Sequence, residues 1–167
     1  ERLAVQAKAC EAHGATVWLE SWDMRDKEAT ERGVAALMAQ AGIGAEGGLD
    51  ALVNNAGLAV GKGPFDQGLD DDWNRMIDTN VKGLLFLARA CVMYMSPGSR
   101  MVNMGSIAGK QVYIGGNVYC ATKHAVDALS QAMRIDLLDR GIGVSQICPG
   151  AAETEFSMVR FKGDEEA

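Results

Sequence analysis

The chain has 167 residues, which is enough for one domain with a hydrophobic core. Hydrophobic residues make up 48% of the sequence, a share that favours a folded domain over a disordered chain. The net charge of -6 and the isoelectric point near 4.9 argue against a nucleic-acid partner, because such partners usually meet a basic face.

The sequence also argues against a membrane partner and a metal site. The longest apolar region, Gly83 to Met95, contains Arg89 and is too short for a bilayer, which takes about 20 residues. The two histidines, His13 and His124, show no metal-ligand spacing to cysteine or carboxylate. No C-x-x-C motif links the four cysteines, so we expect buried or half-buried free thiols and a reducing, cytoplasmic location.

The first part of the chain alternates between helix and strand patterns. It predicts a helix over Leu3–His13, a short strand over Thr16–Glu20, a helix over Asp26–Gln40 and an apolar strand over Leu49–Val53. A glycine-rich loop separates the last two elements. A longer loop with Gly61, Gly63 and Pro64 follows the strand.

The second part continues the alternation with longer elements. A helix is predicted over Asp70–Met95, a strand over Arg100–Met104, a helix over Asn117–Asp139 and a strand over Val144–Cys148. Strands that alternate with helices of this length predict an α/β fold, with a doubly wound parallel sheet between two helical layers. We expect one domain over residues 1–167.

Three predicted strands end in small or polar residues. The first runs into Asn54-Asn55-Ala56-Gly57, the second into Gly105-Ser106 and the third into Pro149-Gly150. Each segment alone is explained by ordinary turn chemistry. Together they favour a ligand site, because the carboxyl ends of parallel strands form the ligand-binding edge of such sheets.

One polar side chain falls on the apolar stripe of the long helix over 70–95. Asn80 shares helical spacing with the predicted buried residues Trp73, Ile77, Leu84, Leu87 and Cys91. A buried amide costs free energy unless its hydrogen bonds are met. The sequence leaves two interpretations open, which are a structural hydrogen bond and a functional site.

The next helix carries Tyr119 and Lys123, which lie four residues apart and therefore on one face. They precede an apolar stripe formed by Val126, Leu129, Met133 and Leu137. Taken alone, a Tyr-Lys pair of this kind is more often a surface feature than a site. Ser106 lies 13 residues before Tyr119, and a glycine-containing loop between them could bring Ser106 back to the helix start.

Five motifs in order resemble the short-chain dehydrogenase/reductase family over nearly the whole chain. They are L-V-N-N-A-G (Leu52 to Gly57), N-V-K-G (Asn80 to Gly83), a strand-end Ser106, Y-C-A-T-K (Tyr119 to Lys123) and I-C-P-G (Ile147 to Gly150). The resemblance implies a Rossmann-type, seven-stranded parallel sheet. It also implies a catalytic tetrad of Asn80, Ser106, Tyr119 and Lys123.

The same resemblance implies a nicotinamide cofactor. The residues that would contact it are Asp23, Met24, Asn54, Ala56, Gly57, Tyr119, Lys123, Pro149, Gly150 and Thr154. Asp23 and Met24 match the adenine contacts, and Pro149 and Gly150 match the nicotinamide side. Family members commonly form tetramers or dimers through the two helices that correspond to 70–95 and 117–139.

A narrower resemblance is to NADP-dependent 3-hydroxy acid dehydrogenases, which oxidise serine and allo-threonine and reduce malonic semialdehyde. It rests on Asn54 to Gly61, Gly115 to Tyr119 and Thr154 to Asp164. It implies NADP, with NAD as the alternative. A 3-hydroxy acid needs a cation for its carboxylate, and Arg160 is the candidate, although an arginine of this kind is more often a solvated loop residue.

One departure from the family pattern concerns the glycine-rich loop, T-G-x-x-x-G-I-G, which precedes this region in family members. The sequence does not contain it, so we expect an incomplete piece of a protein of about 250 residues, without the first strand-helix unit and the C-terminal part. The phosphate cradle that such a loop forms would then lie outside this chain.

The family mechanism makes Tyr119 the acid/base. A free phenol has a pKa near 10, and a nearby ammonium such as Lys123 lowers it. Ser106 would hydrogen-bond the substrate oxygen, and Asn80 would anchor a water that links Lys123 to solvent. Two alternatives stay open, which are a family member acting on a sugar, steroid or acyl-carrier substrate and a non-catalytic dinucleotide sensor.

Overall fold

The computed structural model describes residues 2–61 and 63–150, which form a parallel β-sheet flanked by helices. The strands are β1 (Ala51–Asn54), β2 (Arg100–Met104) and β3 (Gly143–Ile147), hydrogen-bonded in the order β1-β2-β3. All pairs are parallel, with Leu52 beside Met101 and Met101 beside Val144. The predicted α/β class is confirmed, and β2 has the predicted bounds.

The described part of the chain contains five α-helices, of which α4 and α5 pack on the strands. They are α1 (Arg2–Glu11), α2 (Lys27–Gln40), α3 (Asp70–Ile77), α4 (Leu84–Val92) and α5 (Asn117–Asp136). The aspartate before α2 caps it, because the side chain of Asp26 accepts a hydrogen bond of 2.8 Å from the amide of Ala29. The four predicted helices are all present, with ends shifted by a few residues, and the one over 70–95 corresponds to α3 and α4.

The predicted helix over 70–95 is interrupted by a π-helical segment at Asp78–Gly83 between α3 and α4. Across α3, this segment and α4, the buried residues are Met76, Asn80, Gly83, Leu84, Ala88 and Cys91. Four of them, Met76, Asn80, Leu84 and Ala88, lie four residues apart, a spacing longer than the α-helical period of 3.6. Ile77, predicted to be buried, is 39% exposed, because Met76 takes the core position instead.

The strand predicted over Thr16–Glu20 is wrong. These residues form no ladder with any described strand, and Trp18 and Leu19 are both exposed. A β-strand is held by hydrogen bonds to a neighbouring strand, so favourable composition is not sufficient without that neighbour. The side chain of Glu20 instead accepts a hydrogen bond from Gln40 of α2.

The core lies on the side of the sheet that faces α4 and α5. Leu52, Met101 and Val144 form one buried row across the strands and join a cluster with Ala88 and Cys91. Burial of a side chain of this size stabilises the fold by about 1.5–3 kcal/mol. Alternate residues point to the opposite side of the strands.

Two further observations concern the burial of the cysteines and the length of the helices. Cys91 and Cys120 are buried and Cys148 is half-buried, as predicted. Cys10 is exposed on α1, where Ala7 is the buried residue, so the prediction of a buried or half-buried thiol was wrong for Cys10. No helix within residues 2–61 and 63–150 is long and apolar enough to cross a membrane.

Candidate active site

The three small or polar segments that follow the strands meet at one edge of the sheet. Direct backbone contacts join the ends of β2 and β3, since the amide of Gly105 donates to the carbonyl of Ile147 at 2.7 Å. The amide of Ile107 likewise donates to the carbonyl of Pro149 at 3.0 Å. The segment at Ser106 is therefore fixed against the Pro149 segment.

Asn80 lies in the π-helical segment and is 2% exposed. Its Oδ1 accepts from the amide of Leu58 at 2.8 Å, and its Nδ2 donates to the carbonyl of Leu58 at 2.8 Å and to Oγ1 of Thr122 at 3.1 Å. The side chain therefore joins the loop after β1 to α5. Of the two interpretations that the sequence left open, the structure provides direct evidence for the structural hydrogen bond.

Lys123 and Tyr119 lie in the first two turns of α5 and are 7% and 9% exposed. The Nζ of Lys123 lies 6.0 Å from the centroid of the Tyr119 ring and donates to the carbonyl of Met104, at the end of β2, at 2.8 Å. Burial disfavours the charged form and lowers the pKa of Lys123 from 10.5 to about 8, while the nearby Cys148 opposes this shift.

Gly57 brings the loop after β1 against this pair. A β-carbon built on Gly57 would lie 3.2 Å from Oδ1 of Asn80 and 3.6 Å from Nζ of Lys123. Three of the residues predicted for the site, Gly57, Asn80 and Lys123, are thus immediate neighbours. The absence of a side chain at Gly57 leaves space beside the ammonium group.

Ser106 follows β2 and caps the short 3₁₀ turn at Ile107–Gly109, where its Oγ accepts from the amide of Ala108 at 3.1 Å. Ala108 is buried in the same apolar cluster as Tyr119. The turn after Ser106 therefore packs on the first turns of α5. This packing brings the strand end with Ser106 and the helix start with Tyr119 into one region.

Asp23 and Met24 form the turn before α2, and this turn packs on the π-helical segment. The carbonyl of Met24 lies 3.1 Å from a β-carbon built on Gly83. Asp23 accepts from Nε of Arg25 at 2.9 Å, and this hydrogen bond is the main reason why the pKa of Asp23 falls from 3.8 to about 2. Asp23 is therefore a carboxylate at neutral pH.

The remaining predicted residues differ in what the structure shows of them. Asn54 is 3% exposed, and its Nδ2 donates to Oδ1 of Asn103 at 2.8 Å, so its side chain lies within the sheet. Ala56 and Gly150 are exposed at the edge. Thr154 and Arg160 lie outside the described residues. Within the described ranges, no group of three or more His, Cys, Asp or Glu side chains could hold a metal ion.

Sequence reasoning missed three polar residues that support the site. Thr122 receives the bond from Asn80, and its hydroxyl donates to the carbonyl of Tyr119 at 2.8 Å. Asn103 and Ser130 are 0% and 1% exposed and are hydrogen-bonded to each other at 3.0 Å. A polar residue inside the predicted strand R-M-V-N-M was the available signal for Asn103.

A buried ammonium beside a phenol can hold and move a proton, because the amine stabilises the phenolate in a site of low dielectric constant. The pair lies at the carboxyl edge of a parallel sheet, where doubly wound folds bind their ligands. Fold and site together define the chain as a doubly wound α/β protein of the Rossmann class.

Comparison with known proteins identifies the family within that class. The family model described as short chain dehydrogenase matches residues 1–165, so the chain belongs to the short-chain dehydrogenase family. NADP-dependent 3-hydroxy acid dehydrogenase YdfG of Salmonella typhi is 44% identical over 156 residues, which are 92% of this chain and 61% of that protein. Serine 3-dehydrogenase of Agrobacterium fabrum is 40% identical over 150 residues, which are 88% of this chain and 57% of that protein.

A solved structure leads to the same family. The closed form of serine dehydrogenase complexed with NADP+ superposes with a TM-score of 0.82 at 42% identity. The match covers 89% of this chain and 59% of the other chain. The chain thus spans about three fifths of the length of the relatives that it matches.

Proposed function

We propose that this chain forms the larger part of an NADP-dependent dehydrogenase for a small 3-hydroxy acid of the serine, allo-threonine or 3-hydroxypropionate/malonic semialdehyde type. The observation that carries the proposal is the buried ammonium of Lys123 beside Tyr119 at the carboxyl edge of the sheet. The similarity to an NADP-dependent 3-hydroxy acid dehydrogenase and to a serine 3-dehydrogenase supports the substrate class and NADP.

The described residues fit a dinucleotide at this edge. The space that a side chain at Gly57 would fill lies beside Lys123, whose ammonium can donate to ribose hydroxyls. Asn54, Ala56 and Gly57 would line the adenine-ribose side, Asp23 and Met24 the adenine, and Pro149 and Gly150 the nicotinamide. When bound, the nicotinamide ring would supply the hydride acceptor or donor.

The tetrad residues would divide the proton chemistry between them. Tyr119 takes the hydroxyl proton of the alcohol and returns it in the reductive direction. Lys123 stabilises the phenolate, and burial strengthens this attraction because water does not screen it. Ser106 hydrogen-bonds the substrate oxygen. Both amide hydrogens of Asn80 are engaged, so a water at Asn80 would be held by one of its acceptor atoms.

The experiment is a cofactor-absorbance assay on the full-length protein with NADP+ or NAD+ and a panel of alcohols. We expect turnover with NADP+ and L-serine, L-allo-threonine or 3-hydroxypropionate. Tyr119→Phe removes the acid/base group and should lower kcat/KM by about 10²–10⁴-fold. Tyr94→Phe is the matched control, because Tyr94 lies after the end of α4 and its backbone pairs with Leu49.

Two outcomes would contradict the proposal in different ways. Turnover of a sugar, steroid or acyl-carrier substrate without turnover of any 3-hydroxy acid would refute the substrate class and retain the family chemistry. Full activity of Tyr119→Phe would refute the role of the phenol. The contacts of Thr154 and Arg160 and the cytoplasmic location stay predictions from the sequence.

The assembly is part of the same proposal. We expect a homotetramer or homodimer that is formed through the helices within 70–95 and 117–139. Apolar side chains exposed on or beside these helices, Leu85, Met93 and Ile135, support this assignment, since exposed apolar surface is often covered by a partner. Light scattering of the full-length protein measures the assembly directly.

A further inference from the structure

A row of three amide side chains crosses the sheet close to its ligand edge. In the strand register, Asn54 of β1 lies beside Asn103 of β2, and Asn103 lies beside Gln146 of β3. Asn103 is fully buried, and its Oδ1 accepts from Nδ2 of Asn54 at 2.8 Å. Such groups are costly to bury unless their hydrogen bonds are made. Among the described residues, Oδ1 of Asn54 and Nε2 of Gln146 have no partner, so the bonds of Asn103 are the ones that hold the row.

The row is bonded to α5 through Asn103, whose Nδ2 lies 3.7 Å from Sδ of Met133 and closer to Ser130. The Nδ2 of Asn103 donates to Oγ of Ser130 at 3.0 Å, and Ser130 donates in turn to the carbonyl of Val126 at 2.7 Å. Asn103 is also the residue before Met104, whose carbonyl accepts from Lys123. Two consecutive residues of β2 therefore hold two points on α5.

These two points lie on one face of α5. Lys123 and Ser130 are seven residues apart, about two helical turns or 10 Å along the axis. Apolar contacts between a helix and a sheet are not directional, whereas a hydrogen bond fixes both distance and direction. The bond from Asn103 to Ser130 thus limits how far α5 can slide or tilt relative to the end of β2, where Ser106 follows.

We propose that Asn103 and Ser130 are positioning residues that hold α5 at the height at which Lys123 and Tyr119 face the strand end with Ser106. The inference rests on the proposed function, in which those residues share the proton chemistry. Neither Asn103 nor Ser130 touches the reacting atoms. They act by setting the position of the helix that carries two of those groups.

The test compares two buried hydroxyl groups in the full-length protein. Ser130→Ala removes the oxygen acceptor for Asn103 and leaves only the weaker sulfur acceptor, Sδ of Met133 at 3.7 Å. Thr30→Val is the matched control, because Thr30 of α2 is 0% exposed and donates to the carbonyl four residues earlier, that of the cap residue Asp26, as Ser130 donates to Val126. We expect Ser130→Ala to lower kcat about tenfold or more, since small misplacements of catalytic groups cost this much. Thr30→Val should stay within about twofold, and Ser130→Thr, which keeps the hydroxyl, should restore most of kcat.

A second readout does not depend on turnover. The titration of Lys123 is followed by NMR of lysine-labelled protein and assigned with Lys123→Met. The groups that face this ammonium are Tyr119 on its own helix, the carbonyl of Met104 and Cys148 after β3. We expect Ser130→Ala to raise the Lys123 midpoint from about 8 toward 10.5, because a looser helix lets water reach the ammonium, and Thr30→Val to leave it unchanged.

The results separate the two proposals. If the wild-type protein oxidises no alcohol, the proposed function fails and the lysine titration alone decides the positioning role. Equal losses of kcat in Ser130→Ala and Thr30→Val would overturn the positioning role, because they would reflect stability alone. The positioning role would also be overturned if Lys123 titrated in Ser130→Ala with the same midpoint as in the wild-type protein.

Discussion

Asn80→Ala tests how much stability one buried amide contributes to the site. The substitution removes three hydrogen bonds of 2.8, 2.8 and 3.1 Å and leaves the amide and carbonyl of Leu58 without these partners. Each bond contributes about 1 kcal/mol, and each buried group left unsatisfied adds to the cost. We therefore expect the free energy of unfolding to fall by about 3–5 kcal/mol.

The assay is urea unfolding of the full-length protein, followed by far-UV circular dichroism with linear extrapolation. Asn74→Ala is the control, because Asn74 is exposed on the neighbouring helix α3, and it should change stability by less than about 0.5 kcal/mol. Thr122→Val removes one of the three bonds and also the bond from Thr122 to the carbonyl of Tyr119, so it should cost about 1–2 kcal/mol. A loss below about 1 kcal/mol for Asn80→Ala, measured against Asn74→Ala, would refute the assignment of Asn80 as a link between the loop and α5.

Two further predictions concern the ammonium group and the space beside it. Because burial lowers the pKa of Lys123 to about 8, the unfolded chain binds more protons than the folded one between about pH 8 and 10.5, so the wild-type protein should gain stability across this range relative to Lys123→Met. Urea midpoints measured at several pH values check this, and parallel curves for the two proteins would contradict it. Gly57→Ala places a β-carbon 3.2 Å from Oδ1 of Asn80, so we expect weaker cofactor binding by fluorescence titration, whereas Gly44→Ala, with nothing within 4 Å, should bind normally. Equal cofactor affinity in both alanine variants would show that the space at Gly57 is not used.

Local sequence signals predicted those elements whose ends are set locally. The aspartate cap at Asp26 set the start of α2, and β2 has the predicted bounds Arg100–Met104. Helix ends of this kind depend on caps and breakers that lie within a few residues. The predicted strand over Thr16–Glu20 failed because pairing depends on a neighbour that composition does not reveal.

Local sequence patterns could not predict the hydrogen bonds of the site. The sequence identified Asn80 as an unusual polar residue, but its partners Leu58 and Thr122 lie 22 and 42 positions away. The bond between Asn103 and Ser130 spans 27 positions. Such pairs depend on how α5 sits on the sheet, and a helical period specifies the face of a helix but not its height.

The π-helical segment at Asp78–Gly83 makes the length of this region critical. From Met76 to Ala88 the buried positions take twelve residues for three turns, about one residue more than a regular α-helix takes, so this segment accommodates one extra residue. The loss of one residue here would restore a regular α-helix and keep Ala88 and Cys91 on the buried face. The insertion of a further residue would instead turn α4 by about 100° relative to α3 and bring the face bearing Arg89 toward the core.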